Sequence, residues 1–160
     1  VVIARLDSLS GATARGGVMF RAGLGADDAF AALTVVNGQV VLQSRRADGA
    51  AVTQSAGLAA GAQPWLKLVR NGPLVSGYVS ATGAAGTWKH VGTATVTMGR
   101  TALGGLVAGS SSELAAATFS NVTAQATVPV GAKVRYVLRP AALGVWEAAE
   151  VAVLAAASSG

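Results

Sequence analysis

Few side chains in this 160-residue chain could do acid–base or nucleophilic chemistry: seven carboxylates, one histidine and no cysteine. The carboxylates are Asp7, Asp27, Asp28, Asp48, Glu113, Glu147 and Glu150. Glycoside hydrolysis needs two of them facing each other across the scissile bond, and no strand-like segment carries such a pair. Asp27, Asp28 and Asp48 fall in turn-like stretches, where a solvated turn or side-chain cap is the ordinary role. Glu147 and Glu150 are spaced for one helix face or for opposite faces of a strand. His90 has no nucleophile elbow near it in sequence and reads as a half-exposed strand residue beside Trp88. Phosphate loops, dinucleotide fingerprints and histidine metal motifs are missing. The expectation is a protein that is not an enzyme and needs no cofactor. A structural Ca²⁺ on Asp27, Asp28 and nearby carbonyls is the metal site the residues would admit, although EF-hand spacing is absent.

Binding chemistry has better material. Sugar rings present apolar faces that stack on aromatics, and hydroxyls that pair with arginine, asparagine, glutamine and tyrosine. On a strand, alternate residues share a face. Met19 goes with Arg21, Val41 with Gln43 and Arg45, Leu66 with Leu68 and Arg70, and Ser76 with Tyr78 and Ser80. If neighbouring strands stack these sets, Arg21, Arg45, Arg70 and Tyr78 form a polar stripe across one sheet, which makes them the candidate ligand-binding residues. The competing expectation is that the arginines bond loop carbonyls at strand ends. Trp65 and Trp88 are expected in the core.

These residues need elements to position them. Pro64 to Trp88 reads as two strands, Trp65–Arg70 and Leu74–Ser80, joined by a turn at Asn71-Gly72. A second Asn-Gly pair, Asn37-Gly38, joins Ala29–Val36 to Gln39–Arg46. Val1–Leu6, Val18–Ala22, Val52–Ser55, Thr87–Val91, Thr93–Met98, Leu103–Gly109 and Ala115–Ala126 are further strands. Ser8–Gly17, Gly23–Asp28 and Ser110–Leu114 are loops, and Gly92 is a break between two strands. Lys133–Arg139 alternates like a strand. Trp146–Ala157 fits either helix or strand, with strand ahead, and Ser158–Gly160 is an end or the start of a linker. Many short strands with glycine turns point to an all-β antiparallel sandwich or jelly roll.

Composition narrows the partners. Hydrophobic residues make up 52% and charged residues 12%, enough apolar surface for one packed domain. Net charge is +5, but the basic residues are scattered, so nucleic-acid binding is not expected. No apolar run reaches the roughly 18 residues of a membrane span; the longest, Val145–Ala157, is broken by Glu147 and Glu150. Disulfides and cysteine zinc sites are ruled out by the lack of cysteine. With no initiating methionine or signal peptide in view, the chain reads as a processed or excised piece.

A succession of weak motifs adds a family resemblance. ARLDS (Ala4 to Ser8), GGVMFR (Gly16 to Arg21), QSRR (Gln43 to Arg46), WLKLVRNG (Trp65 to Gly72), GYVSATG (Gly77 to Gly83), TW (Thr87-Trp88), VGTATVTM (Val91 to Met98), GGLVAGS (Gly104 to Ser110) and ATFSNV (Ala117 to Val122) occur in this order. Together they resemble bacterial concanavalin A-like lectin/glucanase jelly-roll modules of the DUF1349-like type, over Val1 to about Ala124. The resemblance implies a concanavalin A-like jelly roll over 1–126, with N-terminal strands missing, and a segment over 127–160 that adds strands or begins a linker. It further implies a secreted or cell-surface, non-catalytic module that binds carbohydrate or a cell-surface polymer. The alternative is a structural or assembly module of an adhesin or fibre, joined to neighbouring copies or domains through an open sheet edge.

Overall fold

A computed structural model describes residues 1–111, 114–125, 133–140 and 146–155, the last two segments by their backbone alone. Glu113 and the 158–160 end lie outside the described residues. Among those described there is no helix. The strands are β1 (Val2–Ser10), β2 (Arg15–Arg21), β3 (Phe30–Val36), β4 (Gln39–Arg45), β5 (Val52–Gln54), β6 (Leu58–Ala59), β7 (Trp65–Asn71), β8 (Leu74–Ser80), β9 (Lys89–Thr95), β10 (Leu103–Gly109), β11 (Ala116–Ala124), β12 (Lys133–Pro140) and β13 (Trp146–Ala155).

The chain divides into two units, Val1–Gln125 and Ala126–Gly160. The first is an antiparallel β-sandwich with jelly-roll-like crossovers between its sheets. Sheet I has the order β11-β1-β7-β8-β9, and sheet II the order β10-β2-β3-β4-β5, with β6 also paired to β4. In the second unit β12 and β13 pair with each other as an antiparallel hairpin. Trp146–Ala155, which admitted either helix or strand, is therefore a strand.

Period-2 alternation builds the core. Val2, Ala4 and Leu6 of β1, Leu66 and Leu68 of β7, and Val75 and Val79 of β8 point inward from sheet I. Val18, Leu33, Val35, Val40 and Leu42 meet them from sheet II. The layers press together where a Cβ on Gly77 would lie 2.7 Å from Leu33 Cδ1, so β8 carries a glycine there to admit the leucine.

The two hairpin turns differ. Asn37 and Gly38 both have positive φ, 49° and 72°, and lie between the paired residues Val36 and Gln39, as a type I′ turn requires. In the second hairpin Asn71 pairs with Leu74, so the two-residue loop is Gly72-Pro73. Gly72 has φ 60°, the first position of a type II′ turn, and Pro73 takes the second. The expected turn at Asn71-Gly72 is corrected by one residue.

Two other expectations change. β1 runs on through Ser10 and β2 begins at Arg15, so much of the expected 8–17 loop is strand. Gly92 sits inside a single strand, β9; it reflects close approach, since a Cβ there would lie 3.1 Å from Ser55 Cβ. β1 is interior, paired to β11 on one side and β7 on the other.

Candidate functional site

In WLKL, each large residue alternates with a leucine. Leu66 and Leu68 are fully buried in the core, which sends Trp65 and Lys67 to the opposite, outer face of sheet I. Across β7 and β8, Lys67 pairs with Tyr78 and Trp65 with Ser80; Tyr78 in turn pairs with His90 on β9. On β1, Ile3 and Arg5 complete these rows. Trp65 and Trp88 are both half-buried, and neither belongs to the core cluster. The expectation that they are core anchors is overturned. Tryptophan's size suits burial, but the alternation assigns Trp65 to the lysine's face.

The side chains meet around Lys67. Its Nζ lies 4.1 Å from the Trp88 ring centre and 5.0 Å from that of Tyr78. Tyr78 and His90 stack obliquely, with centroids 5.4 Å apart. Burial pushes the Lys67 ammonium below the ordinary lysine pKa, and the two ring faces favour the cation that burial disfavours. The ion pairs among the described residues are Arg5–Asp7 and Arg45–Asp27, so Lys67 carries its charge without a carboxylate partner. His90 Nε2 and Ser76 Oγ both bond Thr93 Oγ1, at 2.9 and 2.8 Å. With alternate residues ~6.7 Å apart along a strand and strands ~4.8 Å apart, the patch spans on the order of 10 Å.

The loop between β8 and β9 holds the tryptophans in place. Ser80 Oγ accepts the N–H groups of Thr82 and Gly83, at 3.1 and 2.9 Å, and bonds Thr87 Oγ1. Thr87 Oγ1 donates to Ala84 O at 2.7 Å. Trp88 thus follows a braced turn. Beyond Trp65 the face continues into a groove of about 300 Å³ lined by the 60–64 loop, Arg5 and Ala81. At its rim Arg5 Nε donates to Asp7 Oδ1 at 2.6 Å and Ser120 Oγ to the same oxygen at 3.0 Å. Burial pushes the Asp7 carboxyl up, but those two bonds and the Arg5 charge outweigh it and hold the carboxyl below its ordinary value.

The four residues expected to line one stripe are divided. Arg21 and Arg45 lie on the outer face of sheet II, each paired across strands with Phe30; Arg45 Cζ is 5.8 Å from that ring's centre. Both reach the 22–28 loop, Arg21 Nη2 donating to Gly25 O and Arg45 Nη1 to Ala26 O. Arg70 lies on sheet I with the parity of Leu66 and Leu68. It donates to the carbonyls of Gly72 and Met98, both at 3.0 Å, and to that of Gly99. No stripe across one sheet forms: Tyr78 alone of the four lies on the aromatic face, and the arginines hold loop carbonyls. Lys67, the centre of the cluster, was missed; its signal was the leucine alternation around it.

Asp27 and Asp28 are also engaged, Asp27 with Arg45 at 3.5 Å and Asp28 Oδ2 with the Gly25 N–H at 2.6 Å. Among the described residues no three His, Cys, Asp or Glu side chains gather as a metal site, and no helix is long and apolar enough to cross a membrane. A second depression of about 300 Å³ opens between β5 and β9. Its hydroxyls are largely spent: Ser44 on Thr53, and Ser55 on the Leu42 N–H and Ala56 O.

No family model matches the chain, and neither a curated protein nor a solved structure matches it significantly.

Proposed function

We propose that the protein is a non-catalytic module that binds carbohydrate or a cell-surface polymer on the outer face of sheet I. One observation carries this reading: Tyr78 and Trp88 stand outside the core against Lys67, with Trp65 on the same face of the sheet. Aromatic rings kept half-exposed offer flat apolar surface to the apolar faces of sugar rings. The indole N–H groups and the Tyr78 hydroxyl have no protein partner among the described residues, so they remain available to sugar hydroxyls. The groove beside Trp65 gives a chain-like ligand room to continue. The motifs resembling bacterial concanavalin A-like modules support the same reading, with the secreted or cell-surface setting such modules have. A glycan array probed with the full chain should return carbohydrate binders whose signal drops at least tenfold in Trp88→Ala and Tyr78→Ala proteins of unchanged melting temperature. An array without binders would sink the reading.

A specific observation favours a second function, assembly with copies of itself. Sheet edges are normally blunted against pairing. β5 is three residues long, β9 carries Lys89, and β11 is bulged with Asn121 at φ 51°. β10 has none of these protections: it is uncharged and exposes Leu103 and Leu106 at 46% and 43%. Paired antiparallel to its copy about Leu106, it would set Leu103 opposite Gly109, where a Cβ position meets no atom. Sedimentation should then show dimers that Leu106→Lys dissolves; a monomer at high protein concentration would rule this function out.

A further inference from the structure

The charge on the aromatic face has a direction. Of the four acidic residues described in the sandwich, Asp27, Asp28 and Asp48 surround the start of β3 on sheet II, Asp48 Oδ1 accepting the Ala29 N–H at 2.8 Å. Asp7 is the one carboxylate on the aromatic face, and Arg5 and Ser120 consume it. Among the described residues Lys67 is therefore left as an uncompensated cation. Its ammonium is not extended freely into solvent, where a lysine would ordinarily be, but lies against the rings of Trp88 and Tyr78.

A neutral sugar gains little from such a cation. Desolvating an ammonium group under a neutral ring costs free energy that hydroxyl acceptors repay in part, whereas an anion repays it with a charge-assisted bond. We infer that the ligand is an acidic polysaccharide, whose sugar rings stack on Trp88 and Tyr78 while the carboxylate or sulfate they carry seats against the Lys67 ammonium. This inference rests on the carbohydrate-binding reading above and names its ligand class. The groove past Trp65 takes the next residues of the polymer, with Arg5, already paired to Asp7, at its rim rather than at its centre.

Polygalacturonate, its fully methyl-esterified neutral form, dextran sulfate, neutral dextran and inorganic polyphosphate separate the outcomes in calorimetric titrations of the full chain. Tight binding of polygalacturonate or dextran sulfate, with at least tenfold weaker binding of the neutral counterpart and of polyphosphate, is the expected result; which acid wins tells carboxylate from sulfate. Lys67→Met, which keeps the apolar stem, should cost at least tenfold on the acidic polymer and leave neutral polymers unaffected. Arg46→Gln removes the same charge at the depression between β5 and β9 and should change nothing. Equal binding of the acidic and neutral polymers, or an unchanged Lys67→Met protein, would overturn the inference while sparing carbohydrate binding. Polyphosphate binding as tight as polygalacturonate, with Trp88→Ala silent, would reduce the interaction to net charge and overturn both. Failure of every polymer to bind would overturn carbohydrate binding and the inference with it.

Discussion

The ring of Trp65 rests against Gly83: a Cβ on that glycine would stand 2.6 Å from Trp65 Cδ2. Gly83 also has φ 75°, a conformation that costs a non-glycine residue of order 1–2 kcal/mol. Gly83→Ala should destabilise the protein by about 2–3 kcal/mol through strain and overpacking together. It should also displace Trp65, visible as altered tryptophan fluorescence and near-ultraviolet circular dichroism. An unchanged Trp65 signal would show that the ring does not depend on this contact.

Arg70 separates holding the fold from holding a ligand. Its guanidinium spans the β7–β8 turn and the 98–99 segment through three carbonyls. Arg70→Ala should lower stability by about 1–3 kcal/mol, the scale of lost charged hydrogen bonds, and leave polymer affinity within twofold. Loss of affinity without loss of stability in denaturant unfolding would return Arg70 to the binding face.

Thr34 is 1% exposed, opposite the core, and its Oγ1 has no hydrogen-bond partner among the described residues. A buried hydroxyl without a hydrogen bond is a net cost. Thr34→Val keeps the branched shape and should be neutral or stabilising by about 1 kcal/mol, read from the chemical-denaturation midpoint. A destabilisation of 1 kcal/mol or more would mean that the hydroxyl has a partner.

Acid should act through Asp7. Its carboxyl pKa is lower folded than the 3.8 of the free group, so the stability it contributes is complete above about that value and disappears as pH falls through the folded pKa. Melting temperatures of the protein and of Asp7→Asn should therefore differ most at neutral pH and converge as the pH falls below that value. A constant gap across that range would place the acid sensitivity elsewhere.

Much of the sandwich was legible because local rules and tertiary demands coincide. Ala29–Val36 and Gln39–Arg46 lie almost where the β3–β4 hairpin forms, since Asn37-Gly38 can adopt the two positive φ angles that its turn needs. Glycines were harder to read. Gly92 marks a neighbour's closeness rather than a chain reversal, and nothing local distinguishes these. Tyr78 was found, yet Arg21, Arg45 and Arg70 were grouped with it by type and alternation, and alternation does not say which sheet a strand joins. Trp65 was misplaced because size outweighed parity, although Leu66 and Leu68 on either side of Lys67 fixed that parity.

The interior position of β1 bears on how the chain reaches this state. Val2 pairs with Leu68 in one direction and with Ala124 in the other, so both of its ladders close over long stretches of sequence. Such contacts are entropically late, and folds dominated by them assemble slowly. The β3–β4 and β7–β8 hairpins can form early from near neighbours, whereas β1 must wait for β7, and sheet I is incomplete until β11 is present. Truncation before residue 116 should therefore leave an aggregation-prone intermediate rather than a smaller sandwich.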